Sequence, residues 1–96
     1  MSNLFKNQLK QIILFGSYAR GDYEEYSDLD IMILVDLKDE EIKQLTNGVI
    51  EISSNIGLEN DIVISPIIKN INQFNSWLPV LPFYKNVVNE GVTVYG

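Results

Sequence analysis

"GSYARGDYEEYSDLDIMILV", Gly16 to Val35, runs from a Gly-Ser turn through two alternating aspartates into an apolar segment. Its second part, Leu29 to Val35, reads as a strand. Leu29, Ile31, Ile33 and Val35 point one way, and Asp28, Asp30, Met32 and Leu34 point the other. Beyond Asp30 both faces are apolar, so this strand belongs in the middle of a sheet covered on both sides. The two aspartates then sit at its N-terminal end, where burial gives way to a cleft. The first part follows another apolar run, Gln11 to Phe15, read as the preceding strand. A Gly-Ser turn, an arginine and an Asp-Leu-Asp pair thus lie between two buried strands.

Outward from this core the pattern alternates. Asn3 to Leu9 has room for about two turns of helix at 3.6 residues each. From Asp39 to Ser54 the apolar positions Ile42, Leu45, Val49 and Ile52 step by three and four, which predicts an amphipathic helix. Asp39, Glu40 and Glu41 suit its positive N-terminal end, and Gly57 is the expected stop signal. Gly48 weakens that helix by up to about 1 kcal/mol relative to alanine. A third strand is predicted in "DIVIS", Asp61 to Ser65. Ile71, Phe74, Trp77 and Leu78 suggest a short helix. "PFYKNVVNEG" suggests another, begun by Pro82 and closed by Gly91, and "VTVY" adds an edge strand. The expected fold is α/β (α+β), a small sheet flanked by helices in a single domain over residues 1–96. The apolar cluster Trp77, Leu78, Val80, Leu81 and Phe83 is read as part of the domain's own core, with a partner-facing surface as the alternative.

Composition narrows the function. Seven basic against thirteen acidic side chains give a formal charge of −6, which argues against a protein held on DNA or RNA by a broad basic surface. A small anionic ligand carried by a cation, or a positively charged protein partner, stays open. With neither cysteine nor histidine there is no disulfide, thiolate or His-ligated zinc. No stretch approaches the roughly 18 apolar residues of a membrane span, and a cytoplasmic protein is expected.

Asp28 and Asp30 share a strand face with backbones about 6.5 Å apart. Asp61 repeats the arrangement, a carboxylate opening another apolar strand. If the second and third strands are neighbours, three carboxylates converge at one sheet edge. At about 5 Å and an effective dielectric near 20, each like-charge pair costs roughly 3 kcal/mol. Such a cluster raises its own pKa values or binds hard divalent cations, above all Mg²⁺, two ions standing about 3.5–4 Å apart in a two-metal site. The plainer reading is a solvated strand end plus a loop aspartate. Gly16 lets the backbone turn tightly and approach a ligand, while Ser17 could cap a short helix whose free N–H groups favour phosphate. Arg20 suits phosphate in a forked geometry, or equally a structural pairing with Asp22, Glu24 or Asp28.

Taken together, "GSYARG", the ten residues between Ser17 and Asp28, "DLD" and the later Asp61 resemble the nucleotidyltransferase superfamily that includes DNA polymerase β. "FGSYARGDYEEYSDLDIMILV" looks most like the minimal nucleotidyltransferase domains of bacteria and archaea, which are typically encoded beside a helical HEPN-domain partner in toxin–antitoxin pairs. The family usually has a fuller helix before the first strand than this chain offers.

The resemblance implies a polymerase β-like fold and a role for each matching position. Gly16 and Ser17 would hold the phosphates of a nucleoside triphosphate. Asp28 and Asp30 would bridge two Mg²⁺ ions, and Asp61 would complete one metal site and help activate the attacking hydroxyl. Arg20 would contact phosphate or brace the loop, and Ser27 would support the pair from behind. The implied reaction transfers AMP from ATP to a hydroxyl, a tyrosine of a cognate HEPN toxin, so that the protein acts as antitoxin. The alternatives are an antitoxin that neutralises its partner by contact alone and a transferase subunit acting on a small molecule such as an aminoglycoside. A homo- or hetero-oligomer is compatible with each.

Overall fold

The computed structural model describes residues 6–16, 21 and 28–96. A short 3₁₀ turn, Lys6–Gln8, leads into β1, Leu9–Phe15. Then come β2, Leu29–Val35, α1, Asp39–Asn60, and β3, Ile64–Asn70. The chain ends with α2, Ile71–Trp77, α3, Pro82–Glu90, and β4, Val92–Tyr95. The strands order as β3–β2–β1–β4, with β2 and β3 parallel and the other pairings antiparallel. The expected small mixed sheet flanked by helices is therefore present.

β2 lies inside the sheet, and Met32, Ile33, Leu34 and Val35 are completely buried. Its two faces feed two cores. Ile33 and Val35 join Leu9, Ile42 and Val49 under α1. Met32 and Leu34 join Ile13, Phe15, Phe74 and Val87 under α2 and α3. Each such aliphatic side chain contributes about 1.5–3 kcal/mol when fully buried. β1 serves both cores through an irregularity. The pairing slips between Leu9↔Val35 and Gln11↔Leu34, leaving Lys10 as the extra residue. A slip of one residue exchanges the faces, so Leu9 enters the first core while Ile13 and Phe15 enter the second.

Two boundaries differ from expectation for a shared reason. α1 continues past Ser54 through Gly57 to Asn60. Gly57 is buried inside the helix, where a Cβ would collide with the carbonyl oxygen of Ile62. It ends nothing; it admits the returning backbone. The helix stops at Asp61, which takes the left-handed conformation (φ 53°, ψ 45°) that aspartate tolerates better than most residues. Ile62 N–H then donates to Gly57 O at 2.9 Å. With Asp61 used in this cap, β3 starts at Ile64 and runs on to Asn70. Asn70 closes the strand and caps α2. Its side chain accepts from Gln73 N–H at 3.0 Å and donates to Leu37 O at 2.7 Å.

At the N-terminal end, β1 begins at Leu9, and the described part of the expected helix is the single 3₁₀ turn. α2, α3 and β4 fall where expected, with Pro82 opening α3 and Gly91 capping it. The apolar cluster between α2 and α3 is a correction. Trp77, Val80, Leu81 and Phe83 are 52%, 63%, 38% and 47% exposed, while Leu78 packs on the second core and Phe83 touches it through the ring of Phe15. Ile71, Phe74 and Leu78, three and four residues apart, take the inward face, and Trp77 lies off it. No described helix is long and apolar enough to cross a membrane.

Candidate functional site

The C-terminal end of β1 and the N-terminal end of β2 meet at one edge of the sheet. In the antiparallel register Phe15 stands opposite Asp30, so their side chains share a face. That face carries Met32, Leu34 and the second core, and Asp30 is partly buried at its rim. Gly16, directly after Phe15, has φ +77°. A Cβ there would fall on Asp30 Oδ2. Both the left-handed backbone and the space demand glycine, and the turn thereby sets a backbone against a carboxylate.

The electrostatics of the pair follow from its placement. Burial raises the Asp30 pKa, and the charge of Asp28 raises it further. Asp28 is exposed and is held by Ser65, whose hydroxyl donates to Asp28 Oδ2 at 3.2 Å. The parallel pairing supplies this contact. Leu29 N–H donates to Val63 O at 2.7 Å, Leu29 lies opposite Ile64, and Asp30 lies opposite Ser65. Ser65 escaped the sequence reading. Its only signal there was a hydroxyl where "DIVIS" otherwise turns apolar.

Asp61 is placed differently from expectation. The strands are neighbours, but the register brings Ser65 rather than Asp61 beside the pair. Asp61 is exposed in the left-handed turn ending α1, three residues before β3. Among the described residues no three Asp, Glu, His or Cys side chains gather closely enough to hold a metal ion. Ser17, Arg20 and Ser27 lie outside the described residues.

The donor set nevertheless fits a hard cation. Mg²⁺ is commonly held by one or two carboxylates together with substrate phosphates, and two convergent carboxylates beside a side-chain-free backbone leave room for both. A cation would also relieve the repulsion that lifts the Asp30 pKa.

A cavity of about 200 Å³ opens beside the pair, lined by Phe15, Gly16, Phe83, Asn86, Val87 and Glu90. It had no signal in the sequence, because its walls come from β1 and from α3, which are far apart along the chain.

Comparison with known proteins bears on this arrangement. A family model described as "Nucleotidyltransferase domain" matches residues 1–93. A Methanocaldococcus jannaschii protein named "Putative protein adenylyltransferase" is 48% identical over 68 residues, covering 71% of this chain and 67% of its own. A second protein of that name from the same organism is 36% identical over 98 residues, covering 99% of this chain and 87% of its own. Among solved structures, a toxin–antitoxin crystal structure with AMP-PNP aligns at TM-score 0.58 and 21% identity, over 99% of this chain and 67% of the other.

Proposed function

The chain belongs to the nucleotidyltransferase domain family, and from that premise we propose that it transfers AMP from Mg²⁺-bound ATP to a hydroxyl of a partner protein. In this reading the acceptor is a tyrosine of a HEPN-type toxin and the chain is its antitoxin. The observation that carries the proposal is the Asp28–Asp30 pair at the sheet edge, with Gly16 seated against Asp30. The names of the relatives support a protein acceptor, and the toxin–antitoxin neighbour holding an ATP analogue supports both nucleotide and partner.

A bound divalent cation, two ions in the reading the resemblance implies, would supply charge neutralisation for the phosphate oxygens and make the acceptor hydroxyl more acidic. The chain does the rest. Asp28 and Asp30 form the anionic platform, and Ser65 fixes the orientation of Asp28. Gly16 allows phosphate oxygens to approach the backbone, and Ser17 and Arg20 extend that cradle in this proposal. The acceptor oxygen forms a bond to the α-phosphorus, the bond to the β-phosphate oxygen breaks, and pyrophosphate leaves with the electron pair. The hydroxyl proton passes to a carboxylate. Asp61 enters this reading only through the resemblance, and its position gives it the smallest share.

A second reading is an antitoxin acting by contact alone. It is favoured by the exposed Trp77, Val80, Leu81 and Phe83, a surface suited to a protein partner. One experiment separates the two. The protein, with its co-purifying partner, is incubated with α-labelled ATP and Mg²⁺, alongside Asp28→Asn/Asp30→Asn protein. Label moving to the partner only with intact aspartates supports transfer. A stable complex without label, unchanged by the double substitution, supports contact.

A further inference from the structure

From the cavity between the end of β1 and α3, we propose that the chain carries its own subsite for the purine base of the nucleotide, with Phe83 stacking on the base and Asn86 reading its hydrogen-bonding edge. The inference rests on the nucleotidyl-transfer reading above and gives that site a specificity.

The cavity adjoins the carboxylate pair. Gly16 is both a wall of the cavity and the residue set against Asp30 Oδ2, so phosphates held at the aspartates lie beside its mouth. Phe15, another wall, is the register partner of Asp30 and lies on the same sheet face. A nucleotide anchored at the pair can therefore place its base in the cavity without crossing the sheet.

The cavity wall is aromatic, with polar side chains beside the rings. Phe15 is almost wholly buried and meets Phe83 edge-on, with centroids 5.7 Å apart at 81°. Tyr84 touches Phe83 from another side at 5.9 Å and itself leans on Phe74 at 4.7 Å. Phe83 is thus held by other rings, yet remains 47% exposed. A braced aromatic ring with an open surface is what a flat heterocycle stacks on. A wall of apolar side chains with a few polar groups at its edge is also how small-molecule sites are generally built. Asn86 and Glu90 supply those polar groups. The Asn86 amide offers a donor and an acceptor side by side, matching the ring nitrogen and exocyclic group of either purine.

The test is calorimetric binding to the full chain with Mg²⁺, using ATP, GTP, CTP, UTP and inorganic triphosphate as probes. Both purine nucleotides should bind about threefold tighter than the pyrimidine ones, because the larger purine ring covers more of the Phe83 face. Phe83→Ala should weaken ATP roughly tenfold and leave triphosphate unchanged. Asn86→Asp should move the preference from ATP toward GTP, since a carboxylate accepts from the guanine N–H groups and repels the adenine ring nitrogen. Thermal midpoints of both variants check that they fold. Four nucleotides binding equally, with neither substitution altering their ratios while Asp28→Asn/Asp30→Asn abolishes triphosphate binding, would overturn the base subsite and leave the transfer reading standing. Absence of all nucleotide and triphosphate binding would overturn both.

Discussion

Replacing Asp30 with asparagine should disable the site and at the same time stabilise the metal-free protein. Asp28 and Asp30 are alternate residues at the start of β2, about 6.5 Å apart along the backbone. Two unit charges at that distance repel by about 2.6 kcal/mol at a dielectric of 20 and about 0.6 kcal/mol at 80. Asp28 is exposed, which places the value toward the lower end, near 1 kcal/mol. For a domain of this size that corresponds to a rise in melting temperature of about 4–8 °C.

The pH dependence has a definite sign. Burial and the Asp28 charge hold the Asp30 pKa above its ordinary 3.8. A raised carboxyl pKa favours the folded protein most below the ordinary value, and that favour is lost as pH rises through the folded pKa. The advantage of Asp30→Asn is therefore full at neutral pH and closes as the wild-type carboxyl takes up its proton, disappearing below about pH 3.8. Thermal melts followed by circular dichroism, at low salt from pH 3 to 8, measure it. Millimolar Mg²⁺ should raise the wild-type midpoint and leave the variant nearly unmoved. A variant less stable than wild type at pH 7, or a difference indifferent to pH, would refute the electrostatic account.

Asp61→Asn should reduce labelled transfer far less than Asp30→Asn, because the register sets Ser65, not Asp61, beside the pair; equal losses in a side-by-side rate measurement would show that Asp61 reaches the site. Gly57→Ala should destabilise by about 2 kcal/mol despite alanine's better helix propensity, since its methyl would meet the Ile62 carbonyl. Urea titration reads this directly. Ser53 is 1% exposed and its hydroxyl has no hydrogen-bond partner among the described residues. Ser53→Ala should therefore raise the urea midpoint, by an amount corresponding to about 1 kcal/mol, because an unpaired buried hydroxyl carries a desolvation cost that a methyl does not.

Local chemistry made much of the architecture legible. Alternation along Leu29–Val35 identifies the inner strand, three-and-four spacing from Ile42 identifies α1, and Pro82 with Gly91 brackets α3. The Gly16 turn and the Asp28–Asp30 pair were equally readable, because both depend on residues adjacent in the chain. Gly57 was misleading. A glycine near a predicted helix end signals a stop or a close approach, and only the position of Ile62 distinguishes them.

Carboxylates at the mouth of a buried strand beside a glycine turn follow from local sequence alone, since strand periodicity and glycine's missing Cβ act within a few residues. Which other groups join them depends on how the elements pack. The parallel register of β2 and β3 brought Ser65 rather than Asp61 to Asp28, and the docking of α3 against β1 placed Phe83 and Asn86 beside Gly16. A register shift or a helix docking is settled by the packing of whole surfaces, and no short run of residues encodes it.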